Sequence, residues 1–210
     1  SNDGSRGLGD VYKRQHIAFD EATAILAGDA LQALAFEVLA QSPLAHRDPA
    51  AGLASIRSLA IACGSQGMAG GQAFDLAAVG QRLDAAGLER MHVHKTGALI
   101  RASVHLGALA AGCTDPRALA ALERFGHLVG LAFQIRDDIL DIEGDTAVIG
   151  KTQGADQARD KPTYPSILGL EQARALANGL RAESLAALAG VAAPDSALAD
   201  LGRYAVDRLS

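Results

Sequence analysis

An all-α fold is predicted by three properties of the chain. Ala, Leu and Gly dominate its 210 residues, aromatic side chains make up 4% with no Trp, and β-branched residues are sparse. Ala and Leu favour helices, whereas strands draw on β-branched and aromatic residues, so little remains from which to build a sheet. The apolar residues recur at helical spacing, and the length suits one domain with its own core.

The first fifteen residues, SNDGSRGLGDVYKRQ, are polar and Gly-rich and carry no apolar period, so they are expected to form a tail. From Asp20 the pattern turns helical. Ile25, Leu26, Leu31, Leu34, Phe36, Val38 and Leu39 form a stripe too wide for a surface helix, stopped by Ser42-Pro43. A second helix is expected over 50–63, followed by GSQGMAGGQ, whose glycines point to close backbone approach. One long helix is predicted over 84–111, with Gly112 as its stop. Thr114 or Asp115 caps the next, with Pro116 in its first turn, and it runs to Gly144. Residues 144–162 form a polar connection long enough to be functional. Helices over 166–189 and 196–209 complete the chain.

Composition also excludes. A net charge of −5 argues against nucleic acid as the main partner, so any positive charge used for binding must be local. Cys63 and Cys113 lie far apart, outside metal-ligand spacing, which fits reduced core cysteines in an intracellular protein. No uninterrupted apolar run approaches the roughly 20 residues of a membrane span. No basic start with an apolar centre marks a signal peptide. No membrane span and a cytoplasmic location are the expectations.

The segment FQIRDDILD, Phe133 to Asp141, is the feature hardest to explain by structure alone. Asp137, Asp138 and Asp141 sit among Ile135, Ile139, Leu140 and Ile142, so a solvated acidic face fits poorly. Like charges one turn apart cost roughly 0.2–0.5 kcal/mol even in water, and burial adds to that unless a partner offsets it. Mg²⁺ is such a partner, held by one or two carboxylates together with substrate phosphates. Asp137 and Asp141 are expected to share a face and an ion, with Asp138 about 100° away. Lys95 in HKTG, Lys151 in GKTQG and Lys161 in DKPTYP then suit an anion with more than one phosphate. Thr96 adds a hydroxyl beside Lys95, and Gln134 an amide before the acids. Gln72 and Asp75 follow GMAGG on one helix face as lesser candidates to line the site. His92 and His94 lack metal-ligand spacing and receive no metal role. GMAGG is no phosphate loop, since it lacks GxxxxGK[ST]; helix packing explains it better.

With these residues in view, the chain resembles the trans-polyprenyl diphosphate synthases, most nearly the bacterial farnesyl diphosphate synthases. The resemblance rests on FDEATAILAGDALQALAF (19–36), GGQAFD (70–75), HKTGALIRASVHLGA (94–108), GLAFQIRDDILDIEGD (130–145) and GKTQGADQARDKPTYPSILGLEQA (150–173). It implies an isoprenoid-synthase-type helical bundle over 16–210 that condenses isopentenyl diphosphate head-to-tail with an allylic diphosphate. It further implies that Asp137, Asp138 and Asp141 bind Mg²⁺ with Asp156 in the outer shell, that Lys95, Thr96, Gln134, Lys151 and Lys161 contact the allylic diphosphate, and that the chain forms a homodimer. Lys95 and Asp137 are the expected catalytic residues. The family's upstream GKRxRP-like segment and first DDxxD motif have no counterpart here, and Asp20 stands where a glycine is usual. The expectation is therefore a C-terminal two-thirds of a synthase behind an unrelated or disordered tail at 1–15, inactive by itself. The alternative is a non-catalytic helical subunit that partners an intact synthase.

Overall fold

The structure, a computed structural model, describes residues 18–78, 80, 83–143 and 162–208. Among the described residues there are helices and no strands. In chain order they are α1 (Glu21–Ala40), α2 (Pro43–Arg47), α3 (Pro49–Cys63), α4 (Met68–Ala77), α5 (Ala85–His92), a π-helical turn (Val93–Gly97), α6 (Ala98–Ala110), α7 (Pro116–Glu143), α8 (Tyr164–Leu168), α9 (Leu170–Ala187) and α10 (Ala197–Asp207). Their starts follow from side chains that satisfy the orphan amides of the first turn. Asp48 accepts from Ala51 N at 3.0 Å, Asp84 from Gly87 N at 2.7 Å and Ser196 from Ala199 N at 3.3 Å. Pro43, Pro49 and Pro116 stand at first helical positions, where the missing N–H costs nothing.

Helix α7 is the axis of the core. Phe125, Leu128, Leu131, Ala132, Ile135 and Ile139 are all buried along it. One apolar cluster joins Leu128, Leu131, Ile135 and Ile139 to Leu88 and Met91 of α5, Tyr164 of α8, Ala173, Ala177 and Leu180 of α9, and Val206 of α10. The alanines on α9 let it lie close along α7. A second cluster gathers Phe125 and Val129 with Leu188, Ala199 and Ala205.

Several expectations change. The helix over 84–111 is interrupted by the π-helical turn Val93–Gly97, which inserts an extra residue without breaking the path of the chain. The helix over 166–189 begins earlier and is split at Gly169, whose φ of 84° ends α8 and admits α9. Helix α2 was not expected. Helix α1 buries none of its residues, contrary to the reading of its wide stripe, of which only Phe36 and Leu39 are half-buried. The stretch Glu21–Arg47, 27 residues, is also long and apolar enough to cross a membrane by length and composition alone. Cys63 and Cys113 are free thiols, half-buried rather than in the core. The tail at 1–15 lies outside the described residues.

Candidate active site

The aspartate-rich segment occupies the last two turns of α7, so burial is imposed on it by the core that α7 carries. Asp138 is 7% exposed and Asp141 2%. Asp137 sits on the rim, its side chain 42% exposed. Each acid meets a different neighbourhood. Asp137 Oδ1 accepts from Arg208 Nη2 at 2.6 Å. Asp138 Oδ2 accepts from the backbone N–H of Tyr164 at 2.9 Å, which ties the start of α8 to α7. Asp137 and Asp138 thus engage different partners, Arg208 at the rim and the start of α8 in the interior.

Lys95 and Thr96 lie within the π-helical turn. This turn is wedged between two helices at glycines. A Cβ on Gly71 of α4 would stand 2.2 Å from the Lys95 nitrogen, and one on Gly130 of α7 would stand 2.9 Å from Gly97 Cα. The GMAGG segment thus serves helix packing, as its sequence indicates, and that packing fixes the backbone of the expected diphosphate lysine. Asp75, buried on α4, accepts from Lys95 Nζ at 2.8 Å. The lesser sequence candidate Asp75 is thus a direct partner of the stronger one, while Gln72 and Thr96 are half-buried nearby in sequence to them.

His92, which sequence reasoning set aside, lies among these groups. It is 6% exposed, stacks on Tyr164 with ring centroids 5.8 Å apart, and holds Nε2 3.8 Å from Asp138 Oδ2. Burial pushes its pKa down to about 4, with Lys95 acting in the same direction; Gln134, Asp75 and Asp137 oppose but do not outweigh it. The imidazole is therefore neutral at neutral pH, and its approach to Asp138 is not an ion pair there. Tyr164 is driven the other way, its phenol pKa raised by burial and by the charges of Glu89 and Asp138. Gln134 is buried at 8% exposure on the turn before the acids.

Mg²⁺ requires hard oxygen donors, keeps several waters, and shares its shell with phosphate oxygens. The carboxylates fit that demand as part of a site: Asp137 reaches solvent, with Asp138 and Asp141 behind it. They do not form an all-protein cage, since among the described residues no group of three or more His, Cys, Asp or Glu side chains is gathered to hold a metal. Lys151, Lys161 and Asp156 lie outside the described residues. Arg208, Arg136, His92 and Tyr164 were missed as neighbours of the acids. Two of them stand in quoted motifs, Arg136 in FQIRDDILD and Tyr164 in KPTYP, and local spacing gives no sign of Arg208 or His92.

A family model described as polyprenyl synthetase matches residues 6–189. The farnesyl diphosphate synthase of Escherichia coli strain K12 is 51% identical over 196 residues, covering 92% of this chain and 66% of that protein. A crystal structure of an FPP/GFPP synthase from Zymomonas mobilis superposes with a TM-score of 0.76 at 41% identity, covering 91% of this chain and 63% of that one. The geranyltransferase of Helicobacter pylori complexed with magnesium and isoprenyl diphosphate has a TM-score of 0.77 at 35% identity, covering 91% and 61%. This chain thus spans a little under two thirds of the length of these relatives. On the matched residues and the shared all-α fold, the chain belongs to the polyprenyl synthetase family.

Proposed function

We propose that this chain carries the allylic-diphosphate half of a prenyltransferase site, which condenses isopentenyl diphosphate head-to-tail with an allylic diphosphate to make geranyl or farnesyl diphosphate. The single observation that supports this best is the placing of three carboxylates, two of them buried, at one end of α7 in a polyprenyl synthetase chain. A helix core accepts such acids at a cost that a cation and an anionic substrate offset.

Asp137, Asp138 and Asp141 would hold Mg²⁺, with Asp156 as a further oxygen. When bound, the metal supplies charge neutralisation at the leaving diphosphate. Lys95 adds a positive charge to the same diphosphate, and the Asp75 carboxylate keeps its ammonium from wandering. Thr96, Gln134, Lys151 and Lys161 would complete the diphosphate contacts. The allylic C–O bond breaks, the isopentenyl double bond forms the new C–C bond, and a proton leaves, with diphosphate as its acceptor. Neutral His92 contributes an uncharged wall that does not compete for the acids.

Isothermal titration tests the reading. The chain should bind geranyl diphosphate in a Mg²⁺-dependent manner, and the double substitution Asp137→Asn with Asp141→Asn should lower the affinity at least tenfold. Unchanged affinity overturns the assignment.

The exposed apolar face of α1, with Ile25, Leu26, Leu31, Leu34 and Val38 at 48–67% exposure, supports a homodimer in which a second copy covers it. Sedimentation should give twice the chain mass, and Leu31→Asp should lower it toward the monomer. A cytoplasmic location accompanies this proposal; membrane recovery of the expressed chain would contradict it.

A further inference from the structure

We propose that Arg208 and a divalent cation compete for Asp137, so that the contact of residue 208 with α7 is a latch which metal loading opens. This inference rests on the site reading above and extends it to the element that guards the metal. Arg208 lies just past α10 on extended backbone, and its side chain is 8% exposed. Nη2 donates to Asp137 Oδ1 at 2.6 Å and to the carbonyl of Phe133 at 3.1 Å. The guanidinium lies over the Phe133 ring, 3.8 Å from its centroid. Its own carbonyl is gripped by the fork of Arg136, whose Nε and Nη2 donate at 3.1 and 2.9 Å. Residue 208 is therefore fastened at both ends to the helix that bears the aspartates.

The guanidinium occupies the place on Asp137 that a cation would take. Arginine stays charged at every accessible pH. A doubly charged ion on the same carboxylate would stand a few ångströms from it, where repulsion is weakly screened because the arginine is shielded from water. One of the two must yield. Opening breaks the contacts of residue 208 but leaves α10 in place, since α10 is anchored separately by buried Val206 and Ala205 and by the Arg181–Asp207 pair. Only the residue beyond the helix has to move.

The test uses the 210-residue chain, Mn²⁺ as a paramagnetic probe, and inorganic pyrophosphate at fixed concentration, with free Mn²⁺ read by electron paramagnetic resonance. Arg208→Gln should bind Mn²⁺ about three- to tenfold more tightly than the parent, the range for losing one partly exposed ion pair. Arg208→Lys, which keeps the charge but not the fork, should fall between. Amide hydrogen exchange at 204–208 should quicken in the parent when Mn²⁺ and pyrophosphate are added, and be fast already in Arg208→Gln. If Arg208→Gln fails to fold by circular dichroism, Arg136→Gln replaces it and should shift affinity in the same direction by less. Equal or weaker Mn²⁺ binding in the variant that folds, while Asp137→Asn still abolishes binding, overturns the latch and leaves the site reading standing. Unchanged binding in Asp137→Asn overturns the site reading and the latch with it.

Discussion

Helices α7 and α1 are both rich in apolar residues, yet the chain treats them oppositely. Along α7 the interval from Phe125 to Asp141 is mostly buried, and two of its three acids are among the buried residues, whereas the 20 residues of α1 include none that is buried. Apolar density therefore fixes that a helix forms but not what covers it. In α7 the informative residues are the polar ones that the core tolerates. In α1 they are the apolar ones left exposed, Ile25, Leu26, Leu31, Leu34 and Val38. The first pattern is the ground for the proposed ligand site and the second for the proposed homodimer face.

Paired truncations give the sharpest contrast. Ile135 is 0% exposed and Leu31 65%. Ile135→Ala should cost about 3 kcal/mol, from lost transfer energy plus a cavity, while Leu31→Ala should stay within about 0.5 kcal/mol in the monomer. Urea melts of both variants at low and high protein concentration decide the matter. A loss at Leu31 that grows with concentration would mean that a second copy covers α1 and that the contrast belongs to the isolated chain alone.

Acid should strike the α7 side before the α1 side. His92 titrates near 4 when folded and near 6.5 when unfolded, so the unfolded chain binds the extra proton. The stability this neutral histidine contributes is whole above pH 6.5, declines as pH falls from 6.5 toward 4, and is gone below that. A shift of this size amounts to roughly 3 kcal/mol. Thermal melts between pH 7 and 4 should show the decline, and His92→Gln should flatten it. An unaltered pH profile in that variant would place the acid sensitivity elsewhere.

A third comparison concerns the π-helical turn. Gly71→Ala places a methyl against the backbone of Lys95; overpacking of this kind costs about 1–3 kcal/mol. The same change at Gly28 of α1, where a Cβ meets nothing within 4 Å, should instead stabilise by about 0.5–1 kcal/mol through helix propensity. Chemical melts of the two variants should move in opposite directions. A shift in the same direction would show that the turn yields freely, and that its glycines do not position Lys95.

How much of this was legible in the sequence differs between the two regions. The course of α7 could be read from Pro116, its apolar period and its acids, because all three signals are local. The π-helical turn could not, since one extra residue in a run of mixed apolar spacing leaves no trace in the period, and its close neighbours Gly71 and Gly130 come from two other helices. Arg208 lies 71 positions from Asp137, and His92 meets Asp138 only because α5 and α8 pack on the same stretch of α7. Such contacts are products of tertiary packing. The wide stripe of α1 was legible as well, but its exposure was not, because exposure depends on which elements pack against the stripe, and that is not local.

The smallest effect lies at the start of α1, where two local rules conflict at Asp20. Its φ of 149° is a conformation suited to glycine. Its carboxylate nonetheless caps the helix, accepting from Thr23 N and Thr23 Oγ1, both at 2.8 Å. Glycine is nearly as good an N-cap as aspartate, so Asp20→Gly should relieve backbone strain at little loss and raise the melting temperature slightly at neutral pH. The hydrogen bonds from Thr23 hold the Asp20 pKa below 3.8, so the cap contributes above that value and is lost as pH falls through its folded pKa. The advantage of Asp20→Gly should therefore widen in acid, beneath the window in which His92 acts. Melting curves of the variant and parent at pH 7 and pH 3 measure it. A gain that is equal at both pH values would mean that the cap contributes nothing, and that strain alone distinguishes the two residues.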